Sequence, residues 1–253
     1  MIQTGLNIVL EDSAKETLEQ LNKFKEGPYN GILISGRPGT GKTFLCKYFA
    51  QLNDSCHLFF NCVNEFPNLA ASQMEELIKQ QRKKLVFFDD LEYFSFVQQE
   101  KYYKLMEIIK ICQEQEHKLI FITQSPDKLE LFPQKLPYDR ATVLQLPEKK
   151  FREQIITNNL PSFKFLSGLT DSYSVSDLMV LIQDIQMEPF KMIINCPSFE
   201  LIEGKYYPSQ DVKDPKVLLS YDEKLRFLQE GKIQIQELEE KDVRRILNER
   251  KRI

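Results

Sequence analysis

Gly31-Ile32-Leu33-Ile34-Ser35 runs straight into Gly36-Arg37-Pro38-Gly39-Thr40-Gly41-Lys42-Thr43, and Phe44-Leu45-Cys46-Lys47-Tyr48-Phe49-Ala50 follows with helix-like spacing. The order is strand, glycine-rich turn, helix, and the turn is a complete GxxxxGK(S/T) pattern. Such a turn aims successive backbone N–H groups and a helix N-terminus at one point, where a phosphate is favoured. Gly36, Gly39 and Gly41 permit the close approach that a Cβ blocks. Lys42 is placed to reach the outer phosphates and the Thr43 hydroxyl to ligate Mg2+. Residues Gly36, Arg37, Pro38, Gly39, Thr40, Gly41, Lys42, Thr43 and Phe44 are the candidate nucleotide-binding set, with ATP and Mg2+ as the expected ligands.

Working outward, the 253 residues are 42% hydrophobic, enough to bury a sizeable core in one large domain or two smaller ones. The 34 basic and 37 acidic side chains leave a formal net charge of -3, so no overall field favours nucleic acid or an anionic membrane. The basic ending Arg244-Arg245, Arg250, Lys251-Arg252 is interleaved with Glu239, Glu240, Asp242 and Glu249 and reads as a solvated helix face. Cys46, Cys56, Cys62, Cys112 and Cys196 form no CxxC pair, and His57 and His117 have no zinc-like spacing. No metal site is expected from them. An odd cysteine count, no secretory leader and no apolar stretch of bilayer length point to the reducing cytoplasm and no transmembrane segment.

Asp12-Ser13 is placed to cap a helix from Ala14 to about Phe24, ending before Gly27-Pro28. Beyond the loop, the apolar runs Cys56 to Asn61, Leu85 to Asp89, Leu119 to Thr123 and Thr142 to Leu146 alternate with helical spacing near 72–83 and 98–116. Strands alternating with helices imply right-handed crossovers and a parallel sheet covered on both faces. After Pro147 the pattern turns helical: Lys150 to Asn158, Ser174 to Ile194, Tyr221 to Gln229 and Glu239 to Arg250. Phe199 to Ile202 is the single strand candidate there, and Cys196 to Pro215 reads as an irregular connector. The expected division is an α/β nucleotide-binding domain over 1–148 and a helical lid domain over 149–253.

Leu85-Val86-Phe87-Phe88 ends in Asp89-Asp90. A parallel sheet can set this third strand beside the one feeding the loop, bringing its acids to Lys42 and Thr43. Asp89 then holds Mg2+, and Asp90 orients or deprotonates an attacking water. The competing reading of both is a turn or helix cap. Ser125, at the tip of the next strand, is positioned to report on the outer phosphate or simply to begin a loop.

These residues resemble the AAA ATPases, and within them the meiotic clade that includes katanin, spastin and the vacuolar-sorting ATPase. The resemblance runs from about Ile8 to the C-terminus. Leu85 to Asp90 is similar to the Walker B strand, Leu119 to Ser125 to the sensor strand, and Tyr173-Ser174-Val175-Ser176-Asp177-Leu178 to the start of the sensor-2 helix. Tyr221 to Glu249 looks like the clade's C-terminal extension. The resemblance implies AAA+ architecture, with a P-loop NTPase sandwich around a parallel sheet followed by a small helical lid. It also implies a homo- or hetero-oligomeric ring, a hexamer, acting on a protein substrate. The catalytic candidates are Asp90, Lys42 and Ser125, and the metal candidates Thr43 and Asp89.

Three departures stand out. Asp90 replaces the usual Glu, retracting the carboxylate by roughly 1.5 Å, and misplacement near 1 Å costs about a hundredfold in rate. Ser125 stands where the family has Asn, and Leu136 and Pro137 occupy the usual arginine-finger positions, with Lys135 and Arg140 nearby but out of register. The Asp-Asp and Ser features also resemble the weakly hydrolysing second ring of the N-ethylmaleimide-sensitive fusion ATPase. A nucleotide-binding but nearly inactive regulatory subunit is therefore the alternative to an active ATPase. A kinase or a replication loader is a third class, but no Arg-rich lid or basic face supports it. A substrate-gripping pore loop is expected within Asn64 to Ala71, with Phe66 or Leu69 as its aromatic substitute.

Overall fold

The computed structural model describes residues 10–53, 57–63, 84–95, 99–209 and 217–250. The chain forms two compact units, one of residues 1–152 with 170–176 and one of residues 153–169 with 177–253.

In the first unit the apolar runs form strands β1 (Gly31–Ser35), β2 (His57–Asn61), β3 (Leu85–Asp89), β4 (Lys118–Thr123) and β5 (Arg140–Val143). All are parallel, in the order β2-β3-β4-β1-β5. Every residue of β1 and β3 is buried, the pattern of a sheet covered on both faces. Leu33, Val86, Phe88, Leu119 and Phe121 cluster with Tyr102, Leu105, Ile108 and Ile109 of one helix, Gln99–Glu114. Ile32, Ile34, Leu85, Phe87, Ile120 and Ile122 cluster with residues of two others. Those are α1 (Asp12–Glu26), giving Leu21 and Phe24, and α2 (Lys42–Leu52), giving Cys46, Phe49 and Ala50. The result is a three-layer α/β sandwich in which Gln99–Glu114 is α3 and the single turn Pro126–Leu129 is α4. Phe60, Phe88 and Phe121 stack across three neighbouring strands at 5.7 Å spacing.

The topology corrects one expectation: β3 does not adjoin β1, because β4 lies between them. In β4, Leu119 and Phe121 feed one core layer while Ile120 and Ile122 feed the other, as the residues of β1 and β3 also do. Two boundaries also shift. Helix α1 is preceded by Glu11 rather than capped by Asp12-Ser13. Asp12 pairs with Lys15 at 2.7 Å, and the Ser13 hydroxyl accepts from the Gln145 N–H at 3.1 Å. β5 ends at Val143 because Leu144 turns inward, its N–H donating to the Ser35 carbonyl at 2.8 Å. Cys56, the helical pattern near 72–83, the pore-loop candidates Phe66 and Leu69, and Lys251-Arg252 lie outside the described residues.

Two helices, α5 (Lys149–Asn159) and α6 (Val175–Asn195), begin in the first unit and end in the second. The second unit also holds the hairpin β6 (Ser198–Ile202) and β7 (Lys205–Ser209), then α7 (Tyr221–Gln229) and α8 (Glu240–Arg250). The hairpin lies inside the stretch expected to be irregular. Its turn residues Glu203 and Gly204 have φ of 49° and 78°, the pair of positive values that matches strand twist in a two-residue hairpin. The basic ending is less free than a solvated face: Arg245 pairs with Glu188 and Arg250 with Asp184, both at 2.6 Å.

A small core of Ile193, Cys196, Phe199 and Ile233 closes around the end of α6. Lys224 is buried against it and donates to the carbonyls of Ile194 at 2.7 Å and Cys196 at 2.8 Å, satisfying acceptors that a helix C-terminus leaves open. Lys224→Met is expected to destabilise this unit by about 2–3 kcal/mol, since two buried carbonyls lose a charged donor. Urea unfolding followed by circular dichroism checks this; an unchanged midpoint would contradict it.

Candidate functional site

The chain leaves β1 at Ser35 and enters a loop in which Gly36 and Gly39 have no room for a Cβ. Gly39 has φ of +74°, and a Cβ there would lie 2.4 Å from the Ser174 hydroxyl and 2.9 Å from Ser176 Cβ. The Ser176 N–H also donates to the Gly39 carbonyl at 3.1 Å. At Gly36 a Cβ would meet the Leu144 carbonyl at 2.3 Å. The loop is thus pressed between the 170–176 segment and the end of β5, with α2 starting at Lys42.

Lys42 is buried and folded back on its own loop, its ammonium donating to the carbonyls of Gly36 at 2.7 Å and Arg37 at 3.0 Å. Burial pushes its pKa down, opposed by the carboxylates of Glu92, Asp89 and Asp90. The Thr43 hydroxyl donates to Asp89 Oδ2 at 2.7 Å across the width of β4. Burial holds the Asp89 carboxyl above its ordinary range, with the Asp90 charge adding to the shift; Thr43, the Asp90 N–H and Lys42 pull the other way. Thr40 donates to the Arg37 carbonyl at 2.9 Å, while the Arg37 side chain is exposed.

Asp90 sits at φ 57°, a left-handed conformation that Asp tolerates better than most residues. Asn61, at the end of β2, donates from Nδ2 to Asp90 Oδ2 at 2.7 Å, so the carboxylate is oriented from the neighbouring strand. Asn61 escaped the sequence reading because its register with Asp89 is a tertiary fact. Two residues past Asp90, the buried Glu92 accepts from the Thr123 hydroxyl at 2.7 Å and the Gln124 N–H at 3.4 Å. The acid spacing Asp89-Asp90-x-Glu92 was a visible signal for it.

A cleft of about 350 Å³ unites these groups, lined by Pro38, Gly39, Gly41, Lys42, Thr43, Phe44, Asp89, Asp90, Thr123, Gln124 and Ser176. Ser125 is not in that lining; its N–H donates to the Thr123 hydroxyl at 3.1 Å and it precedes α4. Thr123 and Gln124 are the strand-tip residues in the cleft. A second cavity of about 230 Å³ shares Gly39, Gly41, Phe44 and Ser176 with the first. Its remaining wall is mostly apolar, including Leu10, Ala14, Leu144, Phe151 and Val175, and its single ionisable side chain is Glu11.

The vacant finger positions are structural. Leu136 is buried in the core, and the Pro137 carbonyl packs so closely on Gly31 that a Cβ there would lie 2.1 Å away. Arg140 is occupied too, its guanidinium 4.3 Å above the Tyr29 ring and hydrogen-bonded to the Tyr29 hydroxyl. Among the described residues, no helix is long and apolar enough to cross a membrane.

Comparison with known proteins agrees with this geometry. Residues 11–160 match the family described as Novel STAND NTPase 3. A probable spastin homologue of Caenorhabditis briggsae is 27% identical over 224 residues, covering 72% of this chain and 40% of that protein. Vacuolar protein sorting-associated protein 4B of Mus musculus is 23% identical over 206 residues, covering 71% and 46%. The chain thus spans less than half the length of these two relatives. A solved structure titled "Structural Basis for Katanin Self-Assembly" superposes with a TM-score of 0.66 at 14% identity, over 96% of this chain and 82% of that one. With its sheet order, glycine loop and helical second unit, the chain has a P-loop AAA architecture similar to the meiotic clade, and it belongs to the Novel STAND NTPase 3 family.

Proposed function

We propose that this chain binds ATP with Mg2+ in the cleft of Gly36 to Phe44 and hydrolyses it slowly, as one subunit of an oligomeric ring that remodels a protein partner. The observation that carries this reading is the 2.7 Å contact between Thr43 and Asp89 at the mouth of a glycine loop holding a buried lysine. Two hard oxygen donors there suit Mg2+, and Gly41, which lines the cleft with φ of +96° and open space where a Cβ would stand, suits a phosphate close to the backbone. Thr43 and Asp89 are the residues that would hold the ion, which when bound neutralises charge on the phosphate oxygens.

The chain's own groups supply the rest. Lys42 exchanges the Gly36 and Arg37 carbonyls for phosphate oxygens. The loop N–H groups hold the phosphate chain, while the apolar cavity beyond Phe44 takes the base. Asp90, steadied by Asn61, accepts the proton of the attacking water, and Glu92 fixes Thr123 and Gln124 on the opposite wall. The ring and its protein substrate rest on the likeness to katanin, spastin and the vacuolar-sorting proteins; the net charge of -3 argues against nucleic acid. The buried free thiols Cys46, Cys62, Cys112 and Cys196 suit the reducing cytoplasm.

A second reading, a nucleotide-binding subunit with almost no turnover, is favoured by the burial of Leu136, the engagement of Arg140 by Tyr29 and the short Asp90 side chain. Binding alone would stabilise the folded or assembled state.

Steady-state ATPase rates across protein concentration separate the two. Activity should rise with concentration and vanish in Lys42→Ala, which should also lose thermal stabilisation by MgATP; flat background rates with intact binding would leave only the second reading. Asp90→Asn should lower kcat by roughly a hundredfold while leaving ATP affinity within about threefold. Equal rates in wild type and Asp90→Asn would remove Asp90 as the base.

Asp89→Asn should raise the melting temperature of the nucleotide-free chain at pH 7 by a few degrees, on the order of 1 kcal/mol, while abolishing the Mg2+-dependent part of nucleotide binding. The sign follows from the raised folded-state pKa. The stability Asp89 contributes is present below its ordinary value of 3.8 and is lost as pH rises through the folded value. The advantage of the variant should therefore grow from pH 4 towards 7 in calorimetric scans, and a constant difference would contradict it.

A further inference from the structure

Glu11 is an anomaly in the 230 Å³ cavity, a carboxylate among Leu10, Ala14, Phe44, Leu144, Phe151 and Val175. It is half-buried, and the Glu148 N–H donates to its Oε1 at 2.8 Å. Among the described residues, Oε2 takes no hydrogen bond. Burial pushes the carboxyl up in pKa, the Glu148 hydrogen bond pulls it down, and the charges of Glu148 and Asp12 push it up further. Among the described residues no cation lines the cavity to offset that charge, so the open oxygen favours a ligand that brings a donor. The cavity joins the phosphate cleft along Gly39, Gly41 and Phe44, so a group reaching it from a loop-bound phosphate chain is a nucleotide base.

We propose that Glu11 selects the base, Oε2 accepting a hydrogen bond from the 6-amino group of adenine. This rests on the nucleotide reading above and adds a residue that sets its specificity. With Oε1 engaged by the Glu148 N–H, Oε2 is the one carboxylate oxygen left without a donor, which matches a single exocyclic amine. Guanine needs two acceptors side by side for its N1–H and 2-amino groups. In the adenine orientation it sets the O6 carbonyl against the carboxylate, with no proton between them. A purine without the 6-amino group leaves Oε2 desolvated and unpaired.

The test is calorimetric titration of the full chain with the Mg2+ complexes of ATP, GTP and purine riboside triphosphate, which lacks only the 6-amino group. ATP should bind roughly tenfold or more tightly than either, the scale of a hydrogen bond to a charged group. In Glu11→Gln the amide oxygen can keep the Glu148 N–H while the amide nitrogen turns a donor to the base. The ATP advantage should then collapse and GTP should gain. Wild-type affinities equal for all three within about threefold would overturn the proposal, as would an unchanged ATP to GTP ratio in the variant. The wild-type comparison stands even if the variant misfolds. If inorganic tripolyphosphate binds but no nucleotide binds more tightly, the role of Glu11 falls and the phosphate loop stands. If tripolyphosphate and all three nucleotides fail to bind, both readings fall.

Discussion

The Thr43 hydroxyl and the Asp89 carboxylate meet at 2.7 Å although the strands that deliver them are not neighbours. The first unit is organised around keeping those two oxygens together. Asp89 ends a strand whose every residue is buried, and Thr43 opens a helix whose inner face packs into the same core as Leu85 and Phe87. A charged group at the edge of such a core is costly to desolvate, which is why burial raises the Asp89 pKa and lowers that of Lys42. Folding therefore leaves two charge-bearing groups poorly compensated at one spot.

The same economy governs the loop. Lys42 gives its donors to the Gly36 and Arg37 carbonyls of its own loop. Around it, two polar side chains of the cleft are fixed by residues from other elements: Asp90 by Asn61 of β2, and Thr123 by Glu92 from the turn after β3. Catalytic geometry of this kind depends on strand register, because one residue of slip in β2 would remove Asn61 from Asp90 and turn it to the opposite face.

The edge where a ring partner's nucleotide would be expected, on the family resemblance, has packing residues at the finger positions before β5, with Lys135 exposed beside them. Leu136 belongs to the core, Pro137 closes over Gly31, and Arg140 lies on Tyr29. These are packing solutions, and each uses a position that a finger would need exposed. The glycine loop thus matches its pattern throughout, while the positions given to fingers serve packing.

The eight residues from Gly36 to Thr43, and the unbroken apolar runs beside them, determined the phosphate loop, the α/β class and the parallel sheet, because strand burial and glycine conformations are written locally. The helices of the second unit were likewise legible from their spacing, down to the bounds of Tyr221–Gln229. What sequence could not decide was everything that depends on which segments meet. β4 lies between β1 and β3, three strands equally apolar on both faces, and the strand legible at Phe199 to Ile202 turns at Glu203-Gly204 to meet a partner, Lys205–Ser209, inside the stretch expected to be irregular. Asn61, Glu92 and Glu11 acquire their places only through register and burial. Their chemistry is set by neighbours far away in the chain, so the tertiary structure alone brings them to the site.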